Sequence, residues 1–187
     1  GLNARGIGRN DRIAIVLPNG PEMASAFLSI AAGATTAPLN PGYTEQEFDF
    51  YLSDLNAKAL MVEKGSSSPA LAVAKQRNIP VLEIEWAETD PAGTFSFVGD
   101  ASGEPTANGG YGEAEDGGLV LHTSGTTSRP KIVPLTQANL CASAEHIKAA
   151  LRLQPEDRCL NIMPLFHIHG LIAAMMSSVR AGASIFC

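Results

Sequence analysis

The stretch LHTSGTTSRPKIVPLT, Leu121 to Thr136, gathers hydroxyls on Thr123, Ser124, Thr126, Thr127 and Ser128 around Gly125, with Lys131 close behind. Phosphate oxygens need several donors converging on one point, with positive charge nearby. Gly125 lets the backbone come close to a ligand and turn its amides inward, as an anion-binding nest does. Lys131 adds a mobile point charge with three donors, and Pro130 stiffens the turn that delivers it. Thr123, Ser124, Gly125, Thr126, Thr127, Ser128 and Lys131 are therefore the candidate cradle for a polyphosphate. The spacing is not the GxxxxGK[ST] of a P-loop. No GxSxG surrounds Ser124, which argues against a hydrolase nucleophile. A Ser/Thr-rich turn without a ligand is the competing reading of the composition.

A second group lies in MPLFHIHGL, where His167 and His169 stand two apart. On a strand such residues share a face and could begin a metal site. No Asp, Glu or Cys stands close by in the sequence to complete it, so no metal ligand is assigned. Histidines packed at the approach to a helix are the alternative.

These groups must be held by something, and the pattern around them alternates strand and helix. DRIAIVLPNG predicts a strand over Ile13 to Leu17, and Pro21 then starts a helix with Met23, Phe27 and Ile30 on one face. TTAPLNPGY is a second extended piece. Thr44 and Glu47 have capping-box spacing, ahead of Phe48, Tyr51, Leu52 and Leu55 at helical intervals. AKALMVE is the next strand, Ser67 to Arg77 a helix and PVLEI another strand. From Thr89 to about Gly118 the Gly, Pro and acidic residues predict a surface loop, with TFSFVG strand-like inside it. GLVLHT then leads into the candidate cradle. Thr136 is a good N-cap for a helix that turns Leu140, Ala144, Ile147 and Leu151 to one side. RCLNIM reads as a strand, Gly170 to Val179 as a helix and SIFC as a last strand. The expected fold is α/β: a layered, largely parallel sheet with helices, forming a single unit over residues 1–187.

Composition narrows the partners. With 187 residues, 45% hydrophobic and 17% charged, the chain can bury one sizeable core. A net charge of −6 without a Lys/Arg cluster argues against a nucleic-acid face. The apolar region Ile162 to Val179 is interrupted by His167, His169, Gly170 and two serines, too broken for a membrane span. Cys141, Cys159 and Cys187 have no CxxC spacing and read as buried or incidental thiols of a reducing compartment. No initiating Met opens the chain and AGASIFC reads as a strand still running, so a piece of a longer protein is expected.

LHTSGTTSRPKIVPLT closely resembles the signature loop of the adenylate-forming superfamily, whose usual form is [ST]SGTTGxPKG and whose members include acyl-CoA synthetases, peptide-synthetase adenylation domains and beetle luciferases. DRIAIVLPNGPEM, AAGATTAPLNPGYTEQEFDFYLSDLNAKAL and MPLFHIHGLI resemble successive blocks of the same family, in the same order. The likeness spans nearly the whole chain outside residues 89–117. Ser128 stands where glycine is common and resembles the oxalyl-CoA synthetase branch in its Ser-Arg-Pro-Lys run. Ile132 replaces the glycine after the lysine.

The resemblance implies part of the large N-terminal AMP-binding domain, with a C-terminal lid domain expected beyond this chain. It implies ATP, Mg²⁺ and coenzyme A, and a small-molecule carboxylate activated as acyl-AMP. The loop would bind the β- and γ-phosphates, and Lys131 would favour the departing pyrophosphate. Phe166 and His167 would lie beside the carboxylate, with His169 and Gly170 lining the acyl pocket. A histidine at 169 resembles branches that take oxalate- or malonate-like acids. The chain by itself is expected not to form a thioester, because adenine contacts, the acidic metal ligand and the lid lysine follow later in the family. An acceptor other than coenzyme A, and a non-catalytic nucleotide-binding module, are the alternatives. The expected compartment is cytoplasmic or another reducing one, with the peroxisome open to a eukaryotic protein.

Overall fold

A computed structural model describes residues 1–100, 104–123 and 130–187. Short β-branched and aliphatic runs form the strands because they are buried on both faces, as crossover helices require of a parallel sheet. The elements run β1 (Arg12–Val16), α1 (Pro21–Ala31), β2 (Thr35–Pro38), α2 (Glu45–Asp54), β3 (Ala59–Glu63), α3 (Ala70–Gln76) and β4 (Val81–Glu85). Then follow β5 (Ser96–Phe97), β6 (Gly117–Thr123), β7 (Lys131–Thr136), α4 (Gln137–Leu151) and β8 (Arg158–Leu160). A π-helical segment (His169–Met176) runs into α5 (Ser177–Ala181), and β9 (Ser184–Phe186) closes the chain.

The main sheet has the order β5-β4-β3-β1-β2-β6-β7. Its five central strands are parallel; β5 and β7 are antiparallel at the edges. The chain moves from β1 to β2 on one side, then crosses back to β3 on the other. A strand order that reverses this way opens a crevice at the carboxyl ends of the strands, where ligands of α/β folds bind. One core layer, with Phe27, Ile30, Leu119, Leu140, Leu171 and Met175, lies under α1, α4 and the π-helical segment. The opposite layer, with Phe48, Leu52, Leu55, Val73 and Val120, lies under α2 and α3.

Local signals hold at the starts of α2 and α4. Thr44 and Glu47 form the capping box that their spacing predicts. Thr136 caps α4 in the same reciprocal manner with Asn139, the Asn139 amide donating at 3.2 Å to the threonine hydroxyl. Two expectations are corrected. Leu151 is 63% exposed, because the chain leaves α4 at Arg152 in a left-handed conformation before the last turn can be covered. RCLNIM is strand only to Leu160, and with β9 it makes a separate two-stranded parallel sheet rather than extending the main one. Of the two readings of the cysteines, burial does not hold: Cys141 and Cys187 are exposed and Cys159 is half-buried, as incidental thiols can be.

The segment before β6 is tied down more than its composition suggests. Phe95 and Phe97 pack against the first core layer. Asn10 Nδ2 donates to Asp116 at 2.7 Å, Arg9 pairs with Glu113 and Asp116, and the Gly117 amide donates to Asn10 at 2.8 Å. Thr35 and Thr36 of β2 donate to the carbonyls of Gly117 and Gly118 at 2.8 and 2.9 Å. Together these fix where β6 starts, and so where it ends.

The Glu113 backbone amide, then Asn10 and Arg9, hold the Asp116 carboxyl below its ordinary 3.8. Thr44 does the same for Glu47, and Arg77 for Asp49. A carboxyl depressed in the folded state stabilises fully above its unfolded value, and that gain is lost as pH falls through the folded value. The melting temperature should be level above about pH 5 and fall below about pH 4. Asp116→Asn should flatten that acid-side fall. An unchanged slope would remove the network from the account of stability.

Candidate functional site

The alternation of β6 decides what each side chain faces. Leu119 and Leu121 point to the first core layer, and Val120 to the second. Continuing that period-two pattern puts Thr123 on the side of α1, α4 and the π-helical segment. Antiparallel pairing sets Lys131 directly opposite Thr123, and His122 opposite Ile132. Cross-strand partners share a face, so Thr123 and Lys131 project together at the carboxyl edge of the sheet. Both are exposed. The Thr123 hydroxyl is 3.5 Å from the Lys131 carbonyl, too long to tie it up. Ser124, Gly125, Thr126, Thr127 and Ser128 lie outside the described residues.

The second motif arrives at the same face. Leu165, Leu171, Ile172 and Met175 are buried in the first core layer. The Leu165 amide donates at 2.7 Å to Asn19 Oδ1, just beyond the end of β1 where the strand order reverses. The two sequence motifs, some 40 residues apart, are thus brought to one end and one face of the fold. A contact between them is not among the hydrogen bonds or ion pairs of the described residues.

Around that anchor, Phe166 is half-buried while His167 and His169 are exposed. The His169 backbone amide donates at 3.2 Å to His167 Nδ1. A ring nitrogen that accepts carries no hydrogen, so neutral His167 holds its proton on Nε2. That leaves one outward donor on an exposed ring, a suitable group for a developing negative charge. His169 opens the π-helical segment, a geometry frequent at functional sites. Gly170 is buried, and a Cβ there would meet the Pro164 carbonyl oxygen at 2.5 Å and that of Met163 at 3.0 Å. Close backbone packing explains this glycine without invoking a ligand. Gly170→Ala should cost about 1–3 kcal/mol in a denaturant titration. A cost near zero would show that the turn has room to spare.

Ile132, the residue unusual for the loop, is half-buried against the second core layer. Its cross-strand neighbour His122 was not singled out by the sequence. His122 hydrogen-bonds Asp54, and a partner 68 positions away leaves no local signal. Among the described residues no group of three His, Cys, Asp or Glu could hold a metal ion. No helix among them is long and apolar enough to cross a membrane.

A layered α/β sheet carrying a hydroxyl and a lysine on one rung at its carboxyl edge places both where ligands of such folds bind. The sequence profile described as AMP-binding enzyme matches residues 1–187, and the chain belongs to that family. It is 42% identical over 181 residues to an oxalate–CoA ligase of Arabidopsis thaliana, covering 96% of this chain and 35% of that protein. An oxalate–CoA ligase of Saccharomyces cerevisiae is 38% identical over 199 residues, covering 95% of this chain and 37% of the relative. Apo MatB from Rhodopseudomonas palustris superimposes with a TM-score of 0.79 at 28% identity, over 100% of this chain and 36% of that one. MenE from Bacillus subtilis in complex with AMP gives 0.74 at 26% identity, over 98% of this chain and 44% of the other. The chain therefore spans about a third of the length of the curated relatives it matches.

Proposed function

We propose that this chain is the N-terminal part of an acyl-CoA synthetase that activates a small dicarboxylate of the oxalate or malonate type. In the whole protein the carboxylate attacks the α-phosphorus of ATP, forming an acyl-adenylate and releasing pyrophosphate. The thiol of coenzyme A then attacks the acyl carbon and AMP leaves. The observation that carries this reading is the β6–β7 register, which pairs Thr123 with Lys131 on one face at the carboxyl edge. An ammonium and a hydroxyl there, with Ser124, Gly125, Thr126, Thr127 and Ser128 between them in sequence, suit the β- and γ-phosphates of ATP.

Each candidate residue has a role by this reading. Lys131 neutralises charge that grows on the departing pyrophosphate, an effect of positioning and electrostatics. His167 donates from Nε2 to the carboxylate and then to the acyl-phosphate oxygen. Phe166 shields that bond from water, and His169, with Gly170 behind it, bounds the acyl pocket. Mg²⁺ would come with the triphosphate and be held mainly by its oxygens. The Thr123 hydroxyl is an oxygen suited to it, and among the described residues no group of three His, Cys, Asp or Glu could hold a metal ion.

The dicarboxylate preference rests on His169, an exposed imidazole two residues from His167 that could receive a second carboxylate. The names of the oxalate–CoA ligases at 42% and 38% identity support the same class of acid. His169→Ala in the whole protein should cut kcat/KM for oxalate or malonate at least tenfold more than for acetate. Equal losses would remove His169 from substrate selection. Thioester formation with coenzyme A across the same acids tests the acceptor. Acyl-AMP formed without thioester would favour another acceptor, and the 187-residue chain alone should form neither.

A further inference from the structure

His122 is the last half-buried residue of β6 before the Thr123–Lys131 rung, and it faces away from the phosphate side. Its side chain is 5% exposed, and Nε2 lies 2.9 Å from Asp54 Oδ2 at the end of α2. A carboxylate only accepts, so Nε2 carries the hydrogen and the imidazole donates. The ring is clamped edge-on by Tyr51, with centroids 4.7 Å apart at 69°, and Tyr51 stacks on Tyr43 at 4.7 Å and 14°. Phe50 closes a further side at 6.2 Å. Ile132, opposite His122 on β7, packs against the same core layer.

The helix that holds this histidine is itself fixed. Phe48 and Leu52 are fully buried, the capping box secures the start of α2, and Arg77, just after α3, donates to Asp49 at 2.7 Å. Asp54, although its side chain is 39% exposed, is thus carried on a helix that is itself packed and capped. A histidine bonded to it leaves β6 little freedom to slide or twist at its carboxyl end. The next residue along is Thr123, whose partner is Lys131.

We propose that His122 and Asp54 are positioning residues for nucleotide: their hydrogen bond anchors the Thr123–Lys131 rung to α2 and so sets the placement of the lysine. The proposal rests on the adenylation reading, and acts through Thr123 and Lys131 rather than by contact with the reacting atoms. It also gives Ile132 a purpose, since a glycine there would leave the ring of His122 uncovered on the β7 side.

The test uses the whole protein, once wild-type ATP–pyrophosphate exchange has been measured with oxalate and malonate. His122→Phe keeps the aromatic packing and loses only the donor. It should raise KM for ATP about tenfold, the size of one charge-assisted hydrogen bond, and leave KM for the acid within twofold. Asp54→Ala should do the same. Asp54→Asn, which keeps an oxygen to accept, should raise it about threefold, and the double variant should be no worse than either single one. A merely structural role would lower kcat through loss of folded enzyme and move neither KM. Amide hydrogen exchange of peptides 117–123 and 131–136, read without nucleotide, should quicken in His122→Phe and Asp54→Ala. Unchanged protection, or an unchanged KM for ATP, overturns the proposal. A wild-type protein that exchanges no pyrophosphate overturns the adenylation reading instead, and the peptide data then show separately whether the anchor holds the hairpin.

Discussion

Lys131→Ala in the whole protein is expected to slow ATP–pyrophosphate exchange about a hundredfold, the usual cost of removing one preorganised group facing developing charge. The lysine opens β7 and is held opposite Thr123 by a continuous ladder from Leu119 to Thr123. Its backbone position relative to Thr123 is therefore set by the sheet, and by the proposed role the side chain then reaches the phosphates. Truncation removes the ammonium without disturbing a buried contact, since Lys131 is exposed. The melting temperature should hardly change. Lys131→Arg keeps the charge but presents a planar fork in place of a compact point charge, and should recover only part of the rate. Exchange at the wild-type rate in the alanine variant would take Lys131 out of the chemistry.

The second large effect is expected at His167. Replacement by alanine removes the outward Nε2 donor and should reduce adenylation by about a hundredfold as well. His167→Gln, which retains an N–H at a similar reach, should restore part of that loss. This ordering depends on the 3.2 Å bond from the His169 amide to Nδ1, which fixes the tautomer of the neutral ring. Acid activation measured as hydroxamate formation separates it from nucleotide binding: His167 variants should bind ATP normally, whereas Lys131 variants should not. A loss of ATP affinity equal to the loss of rate in His167→Ala would contradict a role at the carboxylate.

What could be seen in the sequence was local. The capping box at Thr44 and Glu47 and the N-cap at Thr136 depend on residues three apart, and both form. The buried faces of α1 and α2 follow from Met23, Phe27, Ile30, Phe48 and Leu52, all at helical spacing. What escaped was set by distant partners. Nothing near Arg158 or Ser184 announces that their strands pair with each other instead of with the main sheet. The low-complexity stretch before β6 hides its anchors because Arg9 and Asn10 lie about 100 residues upstream. Leu151 satisfies the helical period yet lies beyond the reach of the core.

The site divides in the same way. Its residue types were legible as a hydroxyl-rich stretch before a lysine and a pair of histidines. How the second of them is tied to the sheet was not, because it depends on the Leu165 amide meeting Asn19, 146 positions away. The tautomer of His167 needed the His169 amide, and the anchor at His122 needed Asp54. Candidate chemistry could be proposed from composition and spacing, whereas the position of each side chain required the fold.

The most direct test of the account is acid-dependent ATP–pyrophosphate exchange by the whole protein, offered oxalate, malonate, acetate and a long-chain fatty acid in parallel. Exchange driven by oxalate or malonate, at least tenfold above that with the other two, is the predicted result. No exchange with any acid, or exchange that persists undiminished in Lys131→Ala, would contradict it.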